Sequence, residues 1–97
     1  MTTLVLENEP AMVKIVMKKD KFEVALDDGR SLLIPIAWYP RLLHATAKER
    51  RNWRLLGNGY AIEWPDLDEH IGVEGLLAGR RSGESRKSFE RWVASRK

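Results

Sequence analysis

The chain has 97 residues, 43% of them apolar, with four tryptophans and a net charge of +3. That is enough for one small domain and too little for two independent cores. The absence of cysteine excludes a disulfide framework, a thiolate nucleophile and a Cys-based zinc site.

No apolar run approaches the roughly 18 residues of a membrane span. Met1-Thr2-Thr3-Leu4-Val5-Leu6-Glu7 lacks the basic region and cleavage site of a secretory signal, so the expected compartment is the cytoplasm. The charge is unevenly placed. Residues 1–79 hold 10 Lys or Arg against 12 Asp or Glu, a balance of −2, whereas 80–97 hold 7 against 2, a balance of +5. The expected organisation is one near-neutral domain over 1–79 followed by a basic linker and helical tail over 80–97.

In chain order, residues 1–10 have no period and read as a lead-in or edge strand ending at Glu9-Pro10. From Met12 to Lys18 an imperfect alternation places Val13, Ile15 and Met17 on one strand face. After the polar turn Lys19-Asp20-Lys21, Phe22, Val24 and Leu26 alternate with Glu23, Ala25 and Asp27 as a half-buried strand. Asp27-Asp28-Gly29 supplies a residue suited to positive φ, hence a hairpin. Leu32, Ile34 and Ile36 share a face of the third strand, and Pro35, with no N–H to donate, puts that strand at a sheet edge.

Pro40 fits the first turn of a helix, with Leu42, Leu43 and Ala47 toward the sheet. Thr46-Ala47-Lys48-Glu49 is a capping box, which divides the segment and starts a second short helix running to about Asn52. Gly57-Asn58-Gly59 between Trp53–Leu56 and Tyr60–Trp64 signals another hairpin, with Tyr60, Ile62 and Trp64 on one face. Pro65 ends that strand, and a short helix is expected over 73–78. Arg80-Arg81-Ser82-Gly83-Glu84 reads as a polar linker. Ser85 then caps an amphipathic helix to about Ser95, with Phe89, Trp92 and Val93 on its apolar side. The fold class is α+β: a three-stranded antiparallel meander, one or two short helices, a β-hairpin, a short helix and a C-terminal amphipathic helix.

Asp66, Asp68, Glu69, His70 and Glu74 form an acidic loop. Counted as a calcium loop from Asp66, position six is Ile71 rather than Gly and position twelve is Leu77 rather than a bidentate Glu. A solvated turn favouring the N-terminus of the next helix is expected there, with no metal. His44, expected at the sheet margin, and His70, expected exposed in that loop, have no Gly-x-Ser-x-Gly elbow or cysteine to serve. Gly57-Asn58-Gly59 and Gly72-x-x-Gly75 lack the following helix, or the Lys and Ser/Thr, of a phosphate loop. No catalytic residue and no cofactor are inferred.

Arg50, Arg51 and Arg54 beside Trp53 form a basic-aromatic cluster able to grip phosphate or stack a base. A core tryptophan covered by arginine stems is the favoured reading. The tail helix carries the strongest binding signal. Its three apolar residues cannot hold a charged helix together in water, so Phe89 and Trp92 need a protein surface, that of a second copy or cognate partner before that of the chain's own domain.

The order of meander, Pro-started helix, Asn-Gly hairpin, Trp64-Pro65-Asp66-Leu67-Asp68 and Val73-Glu74-Gly75-Leu76-Leu77 resembles the bacterial domain of unknown function 2442 family over roughly residues 12–79. Trp38-Tyr39-Pro40-Arg41-Leu42-Leu43, Glu49-Arg50-Arg51-Asn52-Trp53 and Ser82-Gly83-Glu84-Ser85 resemble one subgroup, with a basic C-terminal extension. His70 stands where the subgroup has an acid, and Gly72 where a Ser caps the following helix. The resemblance implies a small α+β domain, often encoded beside another short protein in arrangements resembling toxin–antitoxin modules, and brings no catalytic residues.

The expected function is non-enzymatic protein interaction, as the antitoxin-like or regulatory half of a two-component module. Arg86, Phe89, Arg91, Trp92 and Arg96 are the expected contacts to a protein partner or second copy, with no membrane and no small-molecule substrate. The alternative is a nucleic-acid-binding accessory protein acting through its basic tail, with Arg50, Arg51, Arg54, Arg80 and Arg81 as contacts.

Overall fold

A computed structural model of the chain describes residues 9–96; the lead-in expected over 1–10 falls largely outside them. Strands β1 (Met12–Met17), β2 (Lys21–Leu26) and β3 (Ser31–Pro35) form an antiparallel sheet in the order β1-β2-β3. Pro35 therefore sits on an edge strand, where its missing N–H removes nothing from the ladder. Val24 and Phe22 on β2 are fully buried, and Leu26 nearly so, as their alternation requires.

On β1 Ile15 is buried and Met17 packs against the core as expected, but Val13 departs from that face for a definite reason. Met12 pairs with Leu26 but Lys14 pairs with Ala25, so Val13 is an extra residue in a bulge. A bulge resets the inward and outward alternation. Met12 and Ile15 are accordingly buried, while Val13 is 56% exposed.

After a 3-10 turn at Ile36–Trp38 come helices α1 (Pro40–His44) and α2 (Ala47–Arg51). Pro40 occupies the first position of α1. The Thr46 hydroxyl accepts from the Glu49 amide at 3.1 Å while the Glu49 carboxylate accepts from the Thr46 amide at 2.9 Å. This reciprocal cap separates the two helices.

The second half differs from the expected hairpin plus loop. Strands β4 (Arg54–Leu56), β5 (Ala61–Trp64) and β6 (Glu69–Gly72) form a second three-stranded antiparallel sheet, β4-β5-β6. The acidic loop expected over 66–70 is instead a 3-10 turn at Pro65–Leu67, a left-handed Asp68 at φ 52°, and the strand β6. Ile62 faces Ile71 and Glu63 faces His70 across this pair, so His70 is an exposed strand residue rather than a loop residue. Tyr60 falls before β5 and is 57% exposed; only Ile62 and Trp64 of the expected trio are buried. Helix α3 (Val73–Leu77) follows β6 directly, and helix α4 (Arg86–Ser95) ends the chain with Ser85 as its N-cap.

One cluster of buried apolar residues joins the two sheets to α1 and α3. Trp64 is fully buried there, edge-on to Phe22 with ring centroids 5.7 Å apart, and its Nε1–H donates to the Arg50 carbonyl at 2.9 Å. The sheets are also joined at their margins, because the Met12 amide donates to the Gly59 carbonyl at 2.8 Å. Gly59 has φ +101°, and a Cβ there would collide with the Met12 carbonyl oxygen.

Replacing Trp64 by Ala removes the largest buried side chain and orphans the Arg50 carbonyl, so the expected loss is about 3–5 kcal/mol. For Gly59→Ala the strained φ and the collision together give a loss on the order of 2 kcal/mol. Denaturant unfolding measures both, and a Trp64→Ala protein of unchanged midpoint would contradict this view of the core.

Candidate functional site

A cleft of about 480 Å³ lies between β6 and the extended linker that follows α3. It is lined on one side by Asp68 to Gly72 and on the other by Arg80 to Glu84, with Tyr39 and Arg41 behind. β6 is an edge strand. The Val73 amide donates to the Tyr60 carbonyl at 2.9 Å. Continuing the antiparallel alternation along the pairs Ile71–Ile62 and Glu69–Trp64 turns those amides toward β5. The peptide groups of His70 and Gly72 then point away from β5, on the cleft side. No partner for them is found among the described residues.

Arg41 organises the far wall. Its position just inside α1 aims the guanidinium at the turn between β5 and β6. Nη1 donates to the carbonyls of Leu67 at 3.1 Å and Asp68 at 3.0 Å. Nε and Nη2 grip the Glu84 carboxylate, the shortest bond being 2.6 Å. The Cζ also lies 5.0 Å from the Trp92 ring centroid. Side-chain exposure is only 15% for Arg41 and 11% for Glu84, so the fork-to-fork bond is shielded from water and worth more than a surface pair.

The linker is further fixed by the Tyr39 hydroxyl donating to the Arg80 carbonyl at 3.0 Å and by the Ser82 amide donating to the Trp38 carbonyl at 3.1 Å. Glu84 also accepts from the Ser88 hydroxyl at 2.8 Å, which ties it to the first turn of α4.

The hydrogen bonds from Arg41 hold the Glu84 carboxyl below the ordinary glutamate value, against an opposing cost of burial. Glu69, in the same cleft, goes the other way. Burial pushes its carboxyl up, Arg41 opposes that, and the charge of Glu84 adds to it. Burial, then the charge of Glu69, also raises the Tyr39 phenol. The cleft therefore holds one firmly ionised carboxylate and one that takes a proton more readily.

The residues expected to act in binding are dispersed. Phe89 and Trp92 are half-buried against the chain's own α1, with the His44 ring edge-on to both at centroid distances of 6.1 and 5.7 Å. His44 thus seats the tail rather than marking a sheet margin. Arg96 pairs with Glu49 at 2.6 Å and stacks on Trp92 with Cζ 4.6 Å from the ring centroid. A second copy is not required to give α4 a surface. Among the described residues Arg86 reaches only Glu90, at 3.7 Å, and Arg91 is exposed.

Of the basic cluster, Arg50 donates to the carbonyls of Leu42 at 2.8 Å and Leu43 at 2.9 Å, closing the end of α1. Arg54 pairs with Glu63 across the sheet at 2.7 Å. Trp53 is half-buried against the core. Arg81 stacks on Trp38 with its Cζ 4.8 Å from the ring centroid. Arg51 is exposed. Sequence reasoning placed Glu69 in a solvated turn and missed the roles of Arg41 and Glu84. The one signal for them was that Arg41 and Glu84 are oppositely charged members of two of the segments carrying the family resemblance.

A depressed carboxyl stabilises its contacts above the unfolded value and loses that contribution as pH falls through the folded one. Glu84 and Glu49 are both depressed, so α4 should stay docked at neutral pH and release only below the ordinary glutamate value of 4.5. Glu69 is raised and opposes the trend: its contribution is present at low pH and lost as pH rises through its folded value. Glu84→Gln, losing charge-assisted bonds, should weaken tail docking by on the order of 2 kcal/mol at pH 7. Amide exchange at 86–96 reads both effects; protection unchanged in Glu84→Gln would assign the seat to the aromatic contacts alone.

With the geometry in hand, comparison with known proteins gives a fold and a family. A protein of unknown function from Rhodospirillum rubrum, solved by crystallography, is similar at 26% identity and a TM-score of 0.71, covering 79% of this chain and 95% of that one. An uncharacterised protein from Chromobacterium violaceum, solved in solution, is similar at 21% identity and a TM-score of 0.67, covering 92% of this chain and 81% of that one. No curated protein matches the chain. The family model described as protein of unknown function (DUF2442) matches residues 12–82, all of both sheets and most of the cleft lining, and the chain belongs to that family.

Proposed function

We propose that the chain is a non-enzymatic protein-interaction module that receives an extended segment of a partner protein along the free edge of β6. The observation that carries this reading is the pair of outward peptide groups at His70 and Gly72, which face an open cleft about 480 Å³ in volume. An incoming strand gains main-chain hydrogen bonds from such an edge, and its alternate side chains meet the walls. Here the walls carry charge of both signs: Asp68 and Glu69 on the strand side, Arg80 and Arg81 on the linker side.

The partner of this reading is a short protein encoded beside this one, the chain being the antitoxin-like or regulatory half of the pair in the bacterial cytoplasm. Nucleic-acid contact through the tail is less well supported, because Arg81 and Arg96 spend their guanidinium groups on Trp38, Trp92 and Glu49.

His70→Pro removes one outward N–H while leaving the β5 ladder its donors. With the neighbouring gene's product as titrant, the expected result is amide shifts at 68–72 and 80–84 and an affinity roughly tenfold weaker for His70→Pro, the effect of one lost hydrogen bond to a desolvated partner. Calorimetry and spectra of the folded variant measure it. Equal affinity in the variant, shifts confined to other surfaces, or no binding by the neighbour would overturn the reading.

A further inference from the structure

Lys18 and Lys19 follow β1 in the turn to β2, and Arg50 and Arg51 end α2. The two elements face each other across a second cleft of about 350 Å³, lined by Met17, Lys18, Lys19, Ala47, Arg50 and Arg51. Four of the six lining residues are cationic and none is acidic. It shares no lining residue with the β6 cleft and does not rest on the reading of that cleft.

The nearby carboxylates are engaged around the rim. Glu23 lies 3.8 Å from the Lys18 ammonium, Asp20 lies 3.6 Å from that of Lys21, and Glu49 accepts from the Thr46 amide and from Arg96. Arg50 spends Nε and Nη2 on the carbonyls of Leu42 and Leu43, which holds its guanidinium at the cleft. Lys19 and Arg51 are exposed and form no ion pair among the described residues. Cations gathered this way repel one another, a cost that Lys19 and Arg51 offset with no ion pair among the described residues, while the field they focus attracts an anion.

We propose that this cleft binds phosphate and that its occupant is the sugar–phosphate backbone of a nucleic acid. A single small phosphate is held best by converging amides at a helix N-terminus. Here α2 lies along the cleft from Ala47 to Arg51, so the donors are long side chains rather than backbone amides. Such side chains on two opposite walls suit a chain of phosphates spread along a groove. Met17 adds an apolar stretch of lining against which sugar or base can rest. No element here is shaped to enter a groove and read base edges, so binding is independent of sequence.

The test uses the full chain, a short DNA duplex and a short single strand, followed by fluorescence anisotropy across a salt series, with inorganic phosphate as a separate titrant followed by amide shifts. The Lys19→Gln/Arg51→Gln double variant alters only exposed side chains and is compared with Lys87→Gln/Arg91→Gln on α4. The expected result is oligonucleotide binding that weakens roughly tenfold in the first variant and changes little in the second. Each phosphate contact contributes about −0.9 to the log–log salt slope on duplex, so the first variant's slope should be shallower by about 2. Unchanged binding in Lys19→Gln/Arg51→Gln, loss confined to Lys87→Gln/Arg91→Gln, or shifts at 17–19 and 47–51 with phosphate but no oligonucleotide binding would each overturn the proposal.

Discussion

A buried indole brings a large apolar surface and one polar hydrogen that has to find an acceptor away from water. In Trp64 that hydrogen goes to the Arg50 carbonyl at the end of α2. The ring meets Phe22 of the first sheet edge-on, while its backbone belongs to the central strand of the second. One residue therefore fixes the spacing of the two sheets and the height at which α2 stops. Arg50, held there by its own carbonyl, then uses its guanidinium to close the end of α1. With the ends of both helices positioned, Arg41 on α1 is aimed at the turn before β6, and Arg50 and Arg51 on α2 at the β1–β2 turn.

Both clefts fall where this small fold runs out of covering elements. A sheet of three short strands has one central strand and two edges, and a domain of this size has few helices with which to cover them. β3 meets the problem with Pro35, and β1 partly with the bulge at Val13 and the bond from Met12 to the Gly59 carbonyl. β6 is left with a linker held off it by the Arg41–Glu84 bond, which makes a cleft instead of a closed surface.

Much of the local structure was legible in the residues. The alternation of Phe22, Val24 and Leu26, the proline start of α1, the reciprocal cap at Thr46 and Glu49 and the serine cap of α4 each rest on neighbours within a few positions. The failures share a different cause. The bulge at Val13 is set by the partner strand's register, and nothing in the composition of 12–17 announces it. β6 was hidden because Glu69 and His70 carry little strand propensity; pairing with β5 and the burial of Ile71 overrode it. Tyr60 kept the phase of Ile62 and Trp64 but lay outside the strand, in the turn. The cleft's organising pair, Arg41 and Glu84, is 43 residues apart in sequence, and no periodicity reaches that far. The basic cleft drew half its cations from a turn that, taken alone, reads as ordinary solvated surface.

The tail follows from the same geometry. An isolated ten-residue helix is marginal in water, and the surface that orders α4 is assembled from pieces already fixed by the core: His44 on α1 under both aromatics, Arg41 against Trp92, and Glu49 on α2 for Arg96. Glu49 thereby serves twice, capping α2 through one oxygen and anchoring Arg96 through the other. Glu84 also serves twice from the linker, its Oε2 accepting both from Arg41 and from Ser88 of α4. The linker that forms the outer wall of the β6 cleft is therefore also the tether of α4. The Arg41–Glu84 bond that helps set the width of the cleft also helps dock the tail, so a change at Glu84 reaches both.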